Sequence, residues 1–206
     1  MFKIYGLHTP MFIKVVLAAE ELGVDYQVVP VDLMKGETKS PEHLARHPFG
    51  KIPALEHDGK FLFESNAIIR YLGAMANSEL YPQDPYQRAK IDQWIEYFAH
   101  QAGRWCTSIW FQKCIAPKYF AEEADPKSVA DAEQSLLEIM PTLNQVMGQS
   151  EWIAGKNLSL ADIVAFSLVM GYQDAGIRMN DFPHFEAWYE RYSERPAVKK
   201  VLEKWY

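Results

Sequence analysis

Hydrophobic residues change their spacing partway along this chain. Residues 2–5 and 26–31 are short runs rich in aromatic and β-branched side chains, the composition of strands that pack on a core. Between them Thr9-Pro10 opens an amphipathic stretch that runs to Leu22 and stops at Gly23. That is the order expected of a helix with proline in its first turn and glycine just past its end. Ser40-Pro41 starts a short helical turn through Arg46. Residues 52–56, the Asp58-Gly59 turn and residues 60–63 read as a hairpin, and a helix follows from Ser65 to about Ala76. From Tyr86 onward only helical periodicity remains, in segments 86–118, 126–147, 159–171, 183–193 and 196–204 punctuated by prolines and glycines.

The order β-α-β, then α, then β-β-α, with a right-handed crossover in the first unit, predicts a small mixed sheet with helices on both faces. The fold class is therefore α/β plus all-α: an N-terminal thioredoxin-like domain over residues 1–77, a linker over 78–85 containing Pro82 and Pro85, and an all-helical domain over 86–206. A chain of 206 residues, 49% hydrophobic, suffices for two small domains with real cores. The net charge of -6 and the lack of a basic run argue against nucleic acid as a partner. Met-Phe-Lys-Ile-Tyr-Gly at the start reads as a strand and not as a targeting segment, and no apolar stretch approaches membrane-spanning length, so a cytoplasmic protein is expected. Cys106 and Cys114 fall in one predicted helical segment, about 12 Å apart along its axis, too far for a bridge. They are expected to be reduced and structural.

Candidate chemistry begins at Lys51-Ile52-Pro53-Ala54-Leu55, an apolar strand with a proline inside it. Proline cannot donate to a β-ladder, so either an edge strand starts here or the backbone faces something other than a strand. A cis Ile52-Pro53 bond would leave the Ile52 amide and carbonyl to pair with an extended, peptide-like ligand. Thr9 before Pro10 and Ser65 at the head of its helix are ordinary N-cap residues, and each also stands where backbone N–H groups converge and attract anions.

Taken in order, His47-Pro48-Phe49-Gly50-Lys51-Ile52-Pro53-Ala54-Leu55, Leu62-Phe63-Glu64-Ser65-Asn66-Ala67-Ile68 and the all-helical second half make the chain similar to the cytosolic glutathione transferases over essentially its whole length. Gly36-Glu37-Thr38-Lys39-Ser40-Pro41, the Pro-Phe-Gly stretch and Trp94-Ile95-Glu96 with His100-Gln101 resemble the phi class. Thr9-Pro10 with Lys14-Val15 resembles the nu class of disulfide-bond reductases. The nu pattern carries an asparagine where Met11 stands, which counts against disulfide reduction.

The resemblance implies glutathione as co-substrate, no metal, a homodimer, and a detoxifying transferase of alkyl or aryl groups acting on small hydrophobic electrophiles. It places Thr9 as the hydroxyl that stabilises the glutathione thiolate, Ser65 on the γ-glutamyl carboxylate and Glu64 around the ammonium group. Lys39 and Lys51 fall at the glycine end, and Ile52 with Pro53 at the middle of the tripeptide. Tyr5 is the rival activator, since other classes use a tyrosine near the first strand. His8, Met11 and Phe12, with Arg104, Trp105, Ser108 and Ile109, are the candidates for the electrophile pocket. His100 and the Ser159/Asp162 capping box read as structural. The competing functions are a glutathione-dependent disulfide or peroxide reductase and a non-catalytic binding module of the same fold.

Overall fold

The computed structural model describes residues 1–206. Strands β1 (Phe2–Tyr5), β2 (Tyr26–Val29), β3 (Ala54–His57) and β4 (Lys60–Phe63) form one sheet in the order β2-β1-β3-β4. β1 pairs parallel with β2 in the register Ile4↔Val28, and antiparallel with β3 in the register Ile4↔Leu55. β3 and β4 make the hairpin around Asp58-Gly59, both at positive φ. Helices α1 (Pro10–Leu22), α2 (Pro41–Arg46) and α3 (Ser65–Met75) complete this part, with a 3₁₀ turn at Glu37–Lys39. α1 and α3 pack on each other. Ile4, Phe12, Leu17, Leu55, Ile68 and Leu72 are all at most 1% exposed, so the apolar stripes of both helices and the inner strands share one core.

The second half is helical: α4 (Pro85–His100), α5 (Ala102–Trp110), a π-helical stretch (Phe111–Phe120), α6 (Pro126–Met147), α7 (Leu160–Val169), α8 (Pro183–Ser193) and α9 (Pro196–Trp205). Every residue of α7 is buried. Asp162 anchors it: the carboxylate accepts from Ser159 N at 2.9 Å, from Ile153 N at 3.0 Å and from Trp188 Nε1 at 3.0 Å, and the Ser159/Asp162 capping box is present.

Several boundaries depart from expectation. β2 ends at Val29, because Pro30 cannot continue a ladder. Pro53 precedes β3 instead of lying inside it. The single helix expected over 86–118 is three pieces. Gln101, at φ -119° and ψ -104°, leaves helical space between α4 and α5. The π-helical stretch then contains Pro117, which has no N–H for an α-helical bond. Cys106 and Cys114 accordingly fall in different segments, and both are free thiols.

By compactness the chain divides into Met1–Arg88 with Glu194–Tyr206, and Ala89–Ser193. The first unit thus includes α9, which packs on α1, whereas the division by element type at 77 and 86 leaves α9 with the other helices. No helix is long and apolar enough to cross a membrane.

Candidate functional site

The polar groups expected to meet glutathione's backbone and sulfur all belong to the first unit. Thr9 is the N-cap of α1, at φ -118° and ψ 153°, and Pro10 takes the first helical position, where its missing N–H costs nothing. Thr9 Oγ1 accepts from Phe12 N at 3.2 Å. The hydroxyl therefore acts as acceptor toward the helix and still has its own hydrogen to donate. Gly6 sits just upstream, where a Cβ would come within 2.7 Å of the Phe12 ring and 3.5 Å of Ile52 Cβ. The end of β1, the start of α1 and the Ile52-Pro53 loop thus converge tightly enough to exclude any side chain at position 6. His8 is exposed, at φ 43°, and its Nδ1 donates to the Trp205 carbonyl at 2.8 Å.

Tyr5 is otherwise engaged. Its hydroxyl donates to Glu56 Oε2 at 2.5 Å, Lys3 Nζ binds the same carboxylate at 2.9 Å, and the Arg46 guanidinium lies 4.2 Å from the Tyr5 ring centre. Burial, then the Glu56 hydrogen bond, pushes the Tyr5 phenol above its ordinary range. The Tyr5 hydroxyl hydrogen is thus already engaged within the fold.

At the head of α3, Glu64 has φ 67° and ψ 109°, a backbone state that costs a non-glycine residue about 1–3 kcal/mol and persists only where the surroundings impose it. Its side chain is exposed and makes no capping bond, while the next residue, Ser65, is buried. Ser65 Oγ lies 3.2 Å from Lys14 Nζ, which also reaches Asn66 Oδ1 at 2.8 Å. Periodicity alone would not single out Lys14. The readable signal was a lysine within an otherwise apolar helical run.

The loop before β3 gathers the remaining expected contacts. Lys39 Nζ donates to the Phe49 carbonyl at 3.1 Å, and a Cβ on Gly50, at φ 60°, would come within 2.6 Å of Thr38 O and 2.9 Å of Lys39 Nζ. The Lys51 side chain is exposed, and its carbonyl accepts from His43 Nε2 at 2.8 Å. Ile52-Pro53 is cis, as expected, and Ile52 is half-buried, outside the ladder that Ala54 opens.

The electrophile candidates fare unevenly. Met11 is half-buried, with Sδ 3.5 Å from Lys14 Nζ and 3.6 Å from Ser65 Oγ. Phe12 is fully buried and meets the Trp205 ring edge-on at 5.4 Å. In the second unit the Arg104 guanidinium stands 4.7 Å from the Trp105 ring centre, Ser108 is half-buried, and Ile109 is fully buried. Phe12 and Ile109 are core residues, a correction to their expected place in a pocket wall: full burial leaves no surface for a ligand. His100 is exposed and lies 3.3 Å from Glu96, one helical turn away. Burial pushes the Cys106 thiol up to about 12, so it stays protonated and inert.

Comparisons with known proteins find one family over most of the chain. Residues 1–74 match the family "Glutathione S-transferase, N-terminal domain" and residues 105–196 match "Glutathione S-transferase, C-terminal domain". A probable glutathione S-transferase of Oryza sativa subsp. japonica is 34% identical over 191 residues, covering 91% of this chain and 89% of the rice protein. The crystal structure of glutathione transferase F7 from Populus trichocarpa superposes with a TM-score of 0.91 at 31% identity, covering 98% of both chains. Glutathione S-transferase I from maize, solved in complex with an atrazine glutathione conjugate, superposes with a TM-score of 0.91 at 33% identity over 98% of this chain and 96% of that one.

Proposed function

Because the chain belongs to the glutathione S-transferase superfamily and is phi-like, we propose that Thr9 stabilises the thiolate of bound glutathione for attack on a small hydrophobic electrophile. A free thiol has a pKa near about 8.5, so only a few per cent is ionised at neutral pH unless the site favours the anion. A hydroxyl hydrogen and the N-terminus of α1 both do so. The Thr9 hydroxyl, already accepting from Phe12 N, is a better donor for that reason. The single observation that carries the reading is this acceptor role of Thr9 at the helix start, with the rival Tyr5 hydroxyl occupied by Glu56.

In the step itself the sulfur lone pair forms the new S–C bond. In a substitution the leaving group departs with the electrons of its own bond; in an addition they pass into the acceptor and a proton from water completes the product. Ser65 and the N-terminus of α3 hold the γ-glutamyl α-carboxylate, Glu64 lies by the ammonium, the Ile52 backbone pairs with the middle of the tripeptide, and Lys39 and Lys51 face the glycine carboxylate. His8 and Met11, on the same unit as Thr9, remain candidates for contact with the electrophile. An activated aryl halide is the natural first substrate, since the maize relative was captured with an atrazine conjugate. A cytoplasmic homodimer fits the family.

The test is Thr9→Ala. Turnover of an activated aryl halide should fall about 10²-fold, glutathione affinity should change little, and the ultraviolet absorbance of the bound thiolate should disappear at neutral pH. Unchanged turnover, or an equal loss in Tyr5→Phe, overturns the assignment. Glutathione binding without any thiolate absorbance in the unmodified protein would favour the non-catalytic module.

A further inference from the structure

Among the apolar side chains that α1 buries, from Phe12 to Ala19, stands one lysine, Lys14, only 2% exposed. Taking an ammonium out of water is unfavourable unless other groups solvate it. A methionine or leucine would fill the same space without that penalty. Lys14 Nζ is solvated across the α1/α3 contact, by Asn66 Oδ1 at 2.8 Å and Ser65 Oγ at 3.2 Å, with Met11 Sδ at 3.5 Å. An ammonium has three hydrogens and no lone pair, so Ser65 Oγ meets it only as an acceptor. The Ser65 hydrogen must then point away from Lys14. The group it meets in this structure is Met11 Sδ, at 3.6 Å, and a thioether is a weak acceptor. A carboxylate arriving at the head of α3 is a much stronger one.

We propose that Lys14 is a positioning residue for the γ-glutamyl end of glutathione. Its buried ammonium holds the Ser65 hydroxyl as an acceptor, presents the hydroxyl hydrogen to the ligand's α-carboxylate, and places a positive charge behind that contact. This rests on the reading that Ser65 binds the carboxylate. Lys14 acts on Asn66 as well: with Oδ1 turned to the ammonium, the amide hydrogens face the other way, and the first two residues of α3 are held in one arrangement. Lys14 thus sets specificity, favouring a peptide thiol with a free α-carboxylate at its γ-glutamyl end over one that lacks it. It stays remote from the sulfur, which Thr9 serves.

The experiment compares glutathione with an analogue whose γ-glutamyl α-carboxylate is replaced by hydrogen. Binding is measured by calorimetry for the unmodified protein, Lys14→Met, Lys14→Arg and Ser65→Ala, with thermal melts to establish folding. Lys14→Met should bind glutathione about 10- to 100-fold more weakly, the range for losing a charge-assisted hydrogen bond, and should bind the analogue as the unmodified protein does. Lys14→Arg should restore most of the difference. In conjugation assays Lys14→Met should raise the KM for glutathione while kcat and its pH profile stay in place. Equal weakening of both peptides, or of neither, overturns the proposal. Should Lys14→Met not fold, the neutral Lys14→Gln is put to the same comparison, and undiminished discrimination there overturns it equally. If Ser65→Ala loses the discrimination and the Lys14 variants keep it, the Lys14 proposal alone falls. If Ser65→Ala keeps it, the reading of Ser65 falls and takes the proposal with it.

Discussion

At the scale of single residues, hydroxyls and imidazoles in this protein are set by what already bonds them. Thr9 and Ser65 both accept a hydrogen bond from within the fold, one from a backbone amide and one from an ammonium, so each keeps its own hydrogen for a second partner, which for Ser65 is Met11 Sδ in this structure. His47 shows the opposite case. It is 3% exposed, against the Phe63 ring at 5.0 Å, and burial together with the neighbouring His43 holds its imidazole below the usual value of 6.5. Above 6.5 neither state of the chain binds this proton, and stability is complete. As the pH falls below 6.5 the unfolded chain takes up a proton that the folded chain refuses, so stability declines until the lower folded value is passed. Glu56 adds a second window: hydrogen bonds from Tyr5 and Lys3 depress its pKa below 4.5, so its stabilisation is present above 4.5 and is lost as the pH falls through the folded value. Urea midpoints measured from pH 7.5 downward should therefore fall in two stages. His47→Gln should flatten the upper stage, and Glu56→Gln should shrink the lower, which Glu20, Asp32 and Asp125, also held below their ordinary values, share. A single slope unchanged by either variant would count against both assignments. Thr9 was legible in sequence because a cap is local; Ser65, expected to be the N-cap of α3, is instead its first helical residue, after an N-cap Glu64 that makes no capping bond. Lys14 was visible only as a motif, since its partners lie more than fifty positions away on α3.

At the scale of elements, start and stop signals explain what could be read and what could not. Gly23 ends α1 at φ 64°, Ser40 and Ser159 cap α2 and α7 through their hydroxyls, and Asp125 caps α6. Each depends on residues within a few positions of one another, so the sequence displays it. Of the breaks inside 86–118, the π-helical stretch carries a local signal in Pro117, whereas Gln101 is an ordinary helix former and leaves helical space without one. The capping box of α7 allows two magnitudes to be separated. Ser159→Ala removes one cap and should cost about 1 kcal/mol. Asp162→Ala leaves buried donors from Ile153, Ser159 and Trp188 without their acceptor, and should cost more than about 3 kcal/mol. Urea unfolding of the two variants decides the point, and equal losses would mean that the carboxylate does no more than cap.

At the scale of the whole molecule, the second helical half was legible as helical, but its last helix was not legible as a partner of the first. Nothing in the 196–204 periodicity says which apolar surface it covers. In the structure Val198 and Val201 are at most 1% exposed on α9 against α1, Arg195 pairs with Glu21 at 2.6 and 2.7 Å, and Lys200 reaches Glu20 at 2.8 Å. Trp205 closes the arrangement with its ring on Phe12 and its carbonyl on His8, and those two residues flank Thr9. If Thr9 serves the sulfur as proposed, stability and chemistry are coupled through α9. Val201→Ala deletes buried methyl groups and leaves a cavity, together about 2 kcal/mol, which for a chain of this size lowers Tm by about 4–8 °C. Because Val201→Ala leaves in place the Trp205 contacts with Phe12 and His8, kcat should hold well below the transition. Trp205→Ala removes a half-buried ring and should lower Tm by less. It should nevertheless depress turnover, since His8 at φ 43° loses the neighbour it packs against beside Thr9, the hydroxyl proposed to serve the sulfur. If Trp205→Ala changes Tm alone, or if Val201→Ala lowers kcat as much as it lowers Tm, then α9 supports the first unit as a whole and does not act through the loop that carries Thr9.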